Sequence, residues 1–191
     1  MPSEIYVDKI MDQTGANSLF DQSGSNWVSG SGFPAGHIVG FASNTHTRTT
    51  HLAIGEVEYH WTDLFCNLET TSTSNKIVVQ YLIPDVYNRN TNGASVHCGV
   101  RYNVGTGAFD NSASQQLGGK KFPAAYQCYQ GSGVSSALTT VHITLVASVP
   151  TVNTLRLYPF FKGVNGGVEM FDNSGQSDLD EAYILAYEIK Q

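Results

Sequence analysis

Apolar and polar residues alternate along most of the chain beyond Phe33, with the two-residue period of half-buried β-strands. The segment 138–147 is the clearest case, since its odd-numbered positions are mostly apolar and its even-numbered positions mostly polar. The segment 77–83 alternates between a wholly apolar face and a mixed one. The same pattern predicts strands over residues 36–42, 56–61, 64–68, 95–102, 122–129, 154–162 and 182–189.

A hydroxyl-rich segment, Thr70–Asn75, precedes the strand predicted at 77–83 and indicates where it begins. Its short threonine, serine and asparagine side chains bond to nearby backbone and favour a turn. Pro84 has no amide hydrogen, so we expect the strand to end there. Further along, the Asn-Gly pair within Val164–Gly167 tolerates positive φ angles and predicts a β-hairpin.

These strands define a fold class, because no segment shows a helical period of any length. Short strands joined by turns, with 19 glycines and 14% charged residues, are typical of an all-β sandwich. We predict a jelly-roll β-sandwich over residues 33–191. A chain of 191 residues is long enough to bury such a core without disulfides, and Cys66, Cys98 and Cys128 are predicted to be free buried thiols.

Residues 1–32 differ from the rest and are predicted to form an extended N-terminal attachment arm. Their Gly, Ser and Asn content is too high for a packed core. Large apolar residues within such a stretch indicate an arm that docks either on another protein or back on its own domain. The residues predicted to make that contact are Ile5, Val7, Ile10, Leu19, Phe20 and Trp27.

Charge and hydropathy exclude several classes of function. The net charge of -6 and the lack of a Lys/Arg cluster argue against a nucleic-acid binder. No apolar run approaches the ~20 residues of a membrane span. The N-terminus has no apolar core of a secretory signal, so we expect the protein to be made and to fold in a cytoplasm.

Motifs of catalysis and cofactor binding are missing from the sequence, which predicts neither enzyme activity nor a cofactor. His46 and His51 could approach His60 across a hairpin, but surface histidines on strands explain them more simply, and no metal site is predicted. The acidic segment 172–181 places Gly175 at position 4 where a calcium-binding EF-hand loop needs glycine at position 6, which favours a solvated loop.

Recognition is the function that the loops favour. The segments 87–93, 103–119 and 126–133 are rich in residues that combine rigid aromatic area with adaptable hydrogen bonding, a composition suited to sugars and protein surfaces. Our candidates for contact with a receptor are Tyr87, Arg89, Tyr126 and Tyr129.

Surplus apolar residues point to self-association. The final strand carries apolar residues on both faces, and Phe160 and its neighbour Phe161 point to opposite sides of theirs. One inner face suffices for a two-layer sandwich, so a homo-oligomer or a covering N-terminal arm would account for the excess. The candidate interface residues are Phe160, Tyr183 and Tyr187.

Several short motifs resemble virion proteins of tailed bacteriophages. The N-terminal Ile5-x-Val-Asp-Lys-Ile-x-Asp-Gln-x-Gly15 is followed by a Ser/Gly/Asn linker, as in their short tail-fibre or fibre-like proteins. The element Leu68-Glu-Thr-Thr-Ser-Thr-Ser-Asn-Lys-Ile-Val-Val79 is similar to a Thr/Ser-Ser-Lys-Ile-Leu-Val element of that family. The ending Ala186-Tyr-Glu-Ile189 is similar to its terminal strand.

The resemblance implies a homotrimeric jelly-roll head whose arm, residues 1–32, binds other tail or capsid proteins of the virion. The head would recognise a glycan or protein on the host surface. The chain lacks the repeats or coiled coil of a long fibre shaft, which leaves open a capsid decoration or head-fibre protein that cements the shell. A carbohydrate-active enzyme on a β-sandwich is a third, less favoured alternative.

Overall fold

The computed structural model describes residues 9–11, 18–23, 26–29, 35–48, 52–87, 94–107, 109–110, 112–128, 139–164, 168–170 and 180–191. Over these ranges the chain forms strands and no helix, as the alternating pattern predicts, and so offers no helix that could cross a membrane. The strands are β1 (Lys9–Met11), β2 (Ser18–Ser23), β3 (Asn26–Ser29), β4 (Ile38–Arg48), β5 (Leu52–Ile54), β6 (Tyr59–His60), β7 (Cys66–Glu69), β8 (Lys76–Tyr87), β9 (Ala94–Val104), β10 (Gln115–Gln116), β11 (Ala124–Cys128), β12 (Thr139–Ser148), β13 (Thr154–Val164), β14 (Val168–Met170) and β15 (Asp180–Ile189).

Two six-stranded antiparallel sheets form a β-sandwich. In sheet one, β9 and β13 are central, with β10 and β11 beside β9 and β6 and β7 beside β13. In sheet two, β8 and β15 are central, with β12 beside β8 and β4 beside β15. The short strands β14 and β5 continue sheet two next to the end of β8.

The core lies between the sheets, on the faces that the alternation assigns to it. The wholly apolar face of β8, made by Ile77, Val79, Tyr81 and Ile83, is fully buried. Alternate positions of β12, β13 and β15 are buried as well. Tyr81 of β8 crosses the gap: its ring meets Phe161 edge-on at 6.0 Å, and its hydroxyl donates to the Gly99 carbonyl at 3.3 Å. The predicted inward faces of 77–83 and 138–147 are therefore confirmed.

Two local predictions are wrong. Strand β8 continues through Pro84 to Tyr87 rather than ending, because between the pairs Ile83–Val141 and Val86–Thr139 two residues of β8, one of them Pro84, lie opposite one residue of β12. A bulge of this kind accommodates a residue that cannot donate to the ladder. The segment Val164–Gly167 does not close a hairpin either, since β13 belongs to sheet one and β14 pairs in sheet two. An Asn-Gly turn does not by itself specify which strands pair.

The region predicted as an extended arm contains a small sheet. Strands β1, β2 and β3 pair in that order, all antiparallel. Composition predicted no strands in residues 1–32, because Gly, Ser and Asn contribute little burial, whereas backbone pairing of hairpins does not depend on it. The role of this region as an attachment arm stays a prediction.

The sandwich has two distinct ends. At the first, which we call the turn end, β4 begins, β7 and β9 finish, β8 begins at Lys76 and β15 finishes at Ile189. At the second, the loop end, β8 finishes at Tyr87, β9 begins at Ala94 opposite Cys128, and β12 begins opposite Val86. Residues 1–34 therefore join the sandwich at the turn end.

Candidate functional site

A buried carboxylate holds the turn end together. Glu188 of β15 is fully buried, and its oxygens accept hydrogen bonds from the Thr71 amide at 2.9 and 3.0 Å and the Thr71 hydroxyl at 3.1 Å. The Ser72 amide donates at 3.1 Å and the Asn75 side-chain amide at 2.8 Å. A buried charge is costly unless it is hydrogen-bonded, and these donors satisfy it. Glu188 thus fixes the hydroxyl-rich turn that the sequence predicts.

The same turn is tied to the connection between β12 and β13. The Thr70 hydroxyl lies 2.7 Å from the Thr151 carbonyl and 2.8 Å from the Asn153 carbonyl, and it accepts from the Asn153 amide at 3.0 Å. The Val149 amide donates to the Asn75 carbonyl at 3.1 Å. The Thr70 bonds extend the pairing of β7 with β13 in sheet one, and the Asn75 bond extends the pairing of β8 with β12 in sheet two. The two connections that pass between the sheets are therefore held side by side at the turn end.

Two of the four candidate receptor residues lie at the loop end. Tyr87 is the last residue of β8, and Tyr126 lies in β11 opposite Val96, two residues before that strand finishes. Arg89 and Tyr129 lie outside the described residues. The backbone brings the β8–β9 and β11–β12 connections to one end of the sandwich, as recognition by both would require. The third predicted recognition loop, 103–119, starts instead at the turn end.

The outer face of sheet one carries an aromatic cluster. It is covered by the described residues of 105–114 and 119–122, which we call the covering segment. Tyr158 and Phe160 of β13 are both fully buried although they point away from the core. Phe109 meets Tyr158 edge-on at 4.5 Å, and Phe122 lies 5.0 Å from Phe160. We call Phe109, Phe122, Tyr158 and Phe160 the covered cluster. Burial raises the pKa of the Tyr158 hydroxyl.

A glycine makes room for this cluster. A Cβ on Gly99 of β9 would collide with the Phe160 ring and with the Lys121 carbonyl oxygen. The missing side chain therefore lets Phe160 and residues 119–122 of the covering segment lie close against the sheet. Lys162 and His97 lie beyond it along the same face.

Charged side chains fasten the covering segment. Glu58 pairs with Lys121 and, at 3.3 Å, with Arg101, whose guanidinium also lies 4.9 Å from the Phe160 ring centroid. The Lys121 hydrogen bond lowers the pKa of Glu58, against the opposing effect of its burial. Arg101 also donates to the carbonyl and hydroxyl of Ser114, each at 3.3 Å.

A second arginine fixes the start of the covering segment. Arg156 of β13 donates to the Gly107 carbonyl at 2.6 Å and to the Thr106 carbonyl at 2.8 Å. Its guanidinium stands 4.8 Å from the Phe65 ring centroid. The covering segment is thus held at both ends and makes a third layer over sheet one, whereas β10, between its two parts, belongs to sheet one itself.

The outer face of sheet two is different, because an apolar row crosses all four of its long strands. The register aligns Phe41 of β4 with Tyr187, Tyr187 with Val78, and Val78 with Val146 of β12. Phe41 is 64% exposed and Val146 is 60% exposed, while Val78 is buried between them. We call these four residues the apolar row.

The three candidate interface residues divide between the two faces. Tyr183 and Tyr187 lie on the outer face of sheet two and are half-buried, with Tyr183 beside Leu82. Phe160 lies on the opposite side of the molecule beneath the covering segment. Its apolar surface is already covered by its own chain, so the interface prediction depends on Tyr183 and Tyr187 alone.

The arm candidates lie in or beside the small N-terminal sheet. Ile10, Leu19, Phe20 and Trp27 fall in strands β1, β2 and β3, whereas Ile5 and Val7 lie outside the described residues. The register pairs Ile10 with Phe20, so two of the candidates are neighbours across the sheet. What the arm contacts stays a prediction.

The histidines and cysteines have ordinary surroundings. His46 packs edge-on against Trp61 at 5.6 Å, and His60 lies 6.0 Å from both Tyr158 and Phe160. His51 and the acidic segment 172–179 are not described, and no group of metal-ligating residues occurs among the described ones. Cys66 and Cys98 are free and buried, and burial raises the pKa of Cys66 to about 12.

Comparison with known proteins adds little. No protein-family model matches the chain, and no curated protein does. A similar solved structure is the CBM22-1 xylan-binding domain of Xyn10C from Paenibacillus barcinonensis, at 13% identity, covering 82% of this chain and 97% of that one. Its TM-score of 0.31 is too low to carry an argument about fold or function.

Sequence reasoning missed two arrangements. Glu188 has the sequence neighbourhood of an ordinary strand residue, and only its alternation with Ala182, Ile184 and Ala186 places it on the core face. That parity is the signal that could have revealed a buried carboxylate. The pairing of Glu58 with Arg101 and Lys121 joins three distant segments, and no local pattern predicts it.

Proposed function

We propose that this protein is a structural protein of a tailed-bacteriophage virion, a short tail fibre or receptor-binding knob. Residues 1–32 attach it to the particle, and a homotrimeric jelly-roll head recognises the host surface by binding. The class rests on the motifs of the sequence. The structural observation that carries the proposal is that the N-terminal region joins one end of the sandwich and the connections with the receptor candidates leave from the other.

This arrangement places attachment and recognition at opposite ends of the sandwich. The arm joins the sandwich at the turn end, next to Ile38, where the Gly36 amide donates to the Lys190 carbonyl and the Lys190 amide donates to the His37 carbonyl. The connections containing the receptor candidates leave from the loop end, beyond Tyr87 and Cys128. A protein held by one end and binding by the other needs this arrangement.

Strand order supports the jelly roll. Numbered one to eight in chain order, β4, β7, β8, β9, β11, β12, β13 and β15 pair as one with eight, two with seven, three with six and four with five. The resulting orders are 1-8-3-6 in sheet two and 2-7-4-5 in sheet one. One long antiparallel ribbon folded into two sheets gives these orders.

Substitutions in the full chain can test attachment and recognition separately. Trp27→Asp in the arm should reduce incorporation into phage particles while leaving the head's stoichiometry unchanged. Tyr87→Ala with Tyr126→Ala should leave incorporation intact and abolish adsorption of the purified protein to host cells. Lys120→Ala, an exposed change in the connection between β10 and β11, away from both regions and from the outer face of sheet two, is the matched control.

Two results would overturn parts of the proposal. If the loop variants adsorb like the unaltered protein and their particles lose shell stability instead, the chain is a capsid decoration protein. If purified protein releases oligosaccharide from host envelope polysaccharide, its work is not binding alone. Trp27→Asp protein that still joins particles would contradict the assignment of the arm.

A further inference from the structure

A cavity of about 380 Å³ opens beside the turn end, between the last residues of β12 and the two glycines that follow β10. We call it the edge cavity. Its volume lies within the range of ligand-binding cavities, about 300–1,000 Å³. It lies at the opposite end of β8 from Tyr87. The residues that line it are Lys76, Gly118, Gly119, Val146, Ala147 and Ser148.

Lys76 brings a positive charge to the edge cavity. Its side chain is half-buried, and its ammonium donates a hydrogen bond to the Ser148 hydroxyl at 2.9 Å. No carboxylate of the described residues lies within ion-pair distance of this ammonium. Because the Ser148 oxygen accepts from Lys76, the hydroxyl hydrogen can point to the same anion. The two groups together form the charge-assisted donor pair that a carboxylate accepts.

Backbone groups supply the rest of the lining. Among the described strands β12 pairs with β8 alone, so its second edge presents amides and carbonyls that no described strand uses. Gly118 lies against this edge, since a Cβ there would stand 3.4 Å from the Leu145 side chain. Neither the Gly118 amide nor the Gly119 amide donates to a carbonyl of the described backbone. The cavity therefore offers hydrogen-bond donors and acceptors together.

This mixture selects a class of ligand. A bare anion such as sulfate has no hydrogen to donate to the strand-edge carbonyls, whereas a sugar hydroxyl both donates and accepts. The single ammonium matches one negative charge, and Val146 and Ala147 provide a small apolar surface for ring carbons. A sugar with one carboxylate satisfies each of these groups.

We propose that the edge cavity binds an acidic sugar of the hexuronic acid class. Its carboxylate accepts from Lys76 and Ser148, and its hydroxyls bind the free edge of β12 and the amides of Gly118 and Gly119. This site goes beyond the proposed function, because it lies away from the receptor candidates and depends on neither a trimer nor a virion.

Titration of the isotope-labelled full chain with sodium glucuronate, followed by nuclear magnetic resonance, tests the site. The amide signals of Lys76, Ser148 and the two glycines should shift and saturate, and sodium chloride should weaken the binding because it screens the charge. Glucose has the hydroxyls without the carboxylate, and acetate has the carboxylate without the ring. Each should bind at least about tenfold more weakly than glucuronate.

Charge removal inside and outside the cavity gives a matched comparison. Lys76→Gln should weaken glucuronate binding by about tenfold or more, because hydrogen bonds to charged groups are the stronger class. Lys76→Arg should keep most of the affinity. Lys120→Gln removes the same charge from an exposed residue that follows Gly119 and does not line the cavity, and it should leave binding unchanged. Both lysines lie outside the core, so these variants should fold.

Three results would overturn the proposal. Amide signals that stay unshifted at high glucuronate concentration would show that nothing binds in the cavity. Acetate that binds as tightly as glucuronate would reduce the site to a contact with any carboxylate. Equal losses in Lys76→Gln and Lys120→Gln would mean diffuse attraction to surface charge. Failure here leaves the incorporation and adsorption experiments of the proposed function intact, because those experiments alter the arm and the loop end.

Discussion

The two outer faces of the sandwich carry similar apolar side chains and treat them in opposite ways. On sheet one, Tyr158 and Phe160 are fully buried beneath the chain's own covering segment. On sheet two, Phe41 and Val146 remain mostly exposed, with no described part of the chain above them. Among the described residues, only the first face is covered by its own chain.

This difference shows that apolar residues on the outward face of a strand do not by themselves identify a subunit interface. Phe160 and Tyr187 satisfy the same criterion in the sequence, an apolar residue on the face away from the core. Only the covering segment, most of which lies within the polar loop predicted at 103–119, distinguishes them. Local alternation gives the facing of a residue, whereas what covers it depends on contacts between distant segments.

The largest contrast should come from truncating one aromatic residue on each face. Phe160→Ala leaves a cavity among Phe122, Tyr158 and Arg101, so we expect the free energy of unfolding to fall by about 3–5 kcal/mol. Phe41→Ala, the matched variant on sheet two, removes a side chain that is 64% exposed and should cost the isolated subunit less than about 1 kcal/mol. Urea denaturation measures both.

Protein concentration sharpens the same comparison. The loss in Phe160→Ala should not change on tenfold dilution, because its contacts lie within one chain. The loss in Phe41→Ala should depend on concentration if copies meet at the apolar row. Equal costs at both positions under all conditions would remove the distinction between the two faces.

A substitution on neither outer face gives a reference value for the loss of unfolding free energy. Glu188→Ala removes the buried acceptor of the Thr71 and Ser72 amides and leaves those donors, with Asn75, unsatisfied. Each buried group left without a partner costs about 1–3 kcal/mol. Asn75 is buried, but Thr71 is exposed and Ser72 is half-buried, so water can replace part of what those two lose and we expect a total loss of about 3 kcal/mol. Glu188→Gln retains an acceptor and should cost less. Hydrogen exchange of the turn amides should rise in the alanine variant, and an unchanged rate would contradict this role.

The ion pairs over sheet one should have a smaller, pH-dependent effect. Glu58 is partly exposed, so Glu58→Gln should cost about 1 kcal/mol at neutral pH. Its folded-state pKa lies below its ordinary value of 4.5, so its contribution is present above pH 4.5 and is lost as the pH falls through the lower folded value. Denaturation curves of the two proteins should converge in acid. A difference that persists or grows there would contradict the assignment.

Much of the fold follows from the sequence, because alternation reports directly on burial in a two-layer protein. The inward faces of β8 and β12 are predicted residue by residue, whereas apolar residues on both faces of β15 leave its inward face undecided in the sequence. Strand ends are less predictable: Pro84 lies within β8 because a bulge at that point places two residues of β8 opposite one of β12, and no local pattern shows that β12 continues the pairing beyond it. Which strands pair across sheets, as at Val164–Gly167, is set by the whole topology.

Less of the candidate site could be predicted, for the same reason. The sequence places Tyr87 and Tyr126 in polar, aromatic stretches, but only the register brings them to one end of the sandwich. The separation of Phe160 from Tyr183 and Tyr187 depends on the order of strands in two sheets. These are non-local facts, and a pattern of neighbouring residues does not contain them.

The smallest expected effect is chemical, and it reports on the inner side of the covered face. Cys66 and Cys98 belong to β7 and β9 of sheet one, and both are buried. Only a thiolate reacts with alkylating reagents, and a pKa of about 12 leaves Cys66 almost wholly protonated at pH 8. Relative to an ordinary exposed thiol of pKa about 8.5, its reaction should be roughly a thousandfold slower from ionisation alone.

In a Cys128→Ser background, alkylation followed by mass spectrometry should leave both thiols unmodified. Adding Phe160→Ala should speed modification, because loss of the covered cluster destabilises sheet one, whereas adding Phe41→Ala should not. Rapid alkylation before either change would mean that sheet one opens readily, and the contrast between its closed face and the open face of sheet two would then fail.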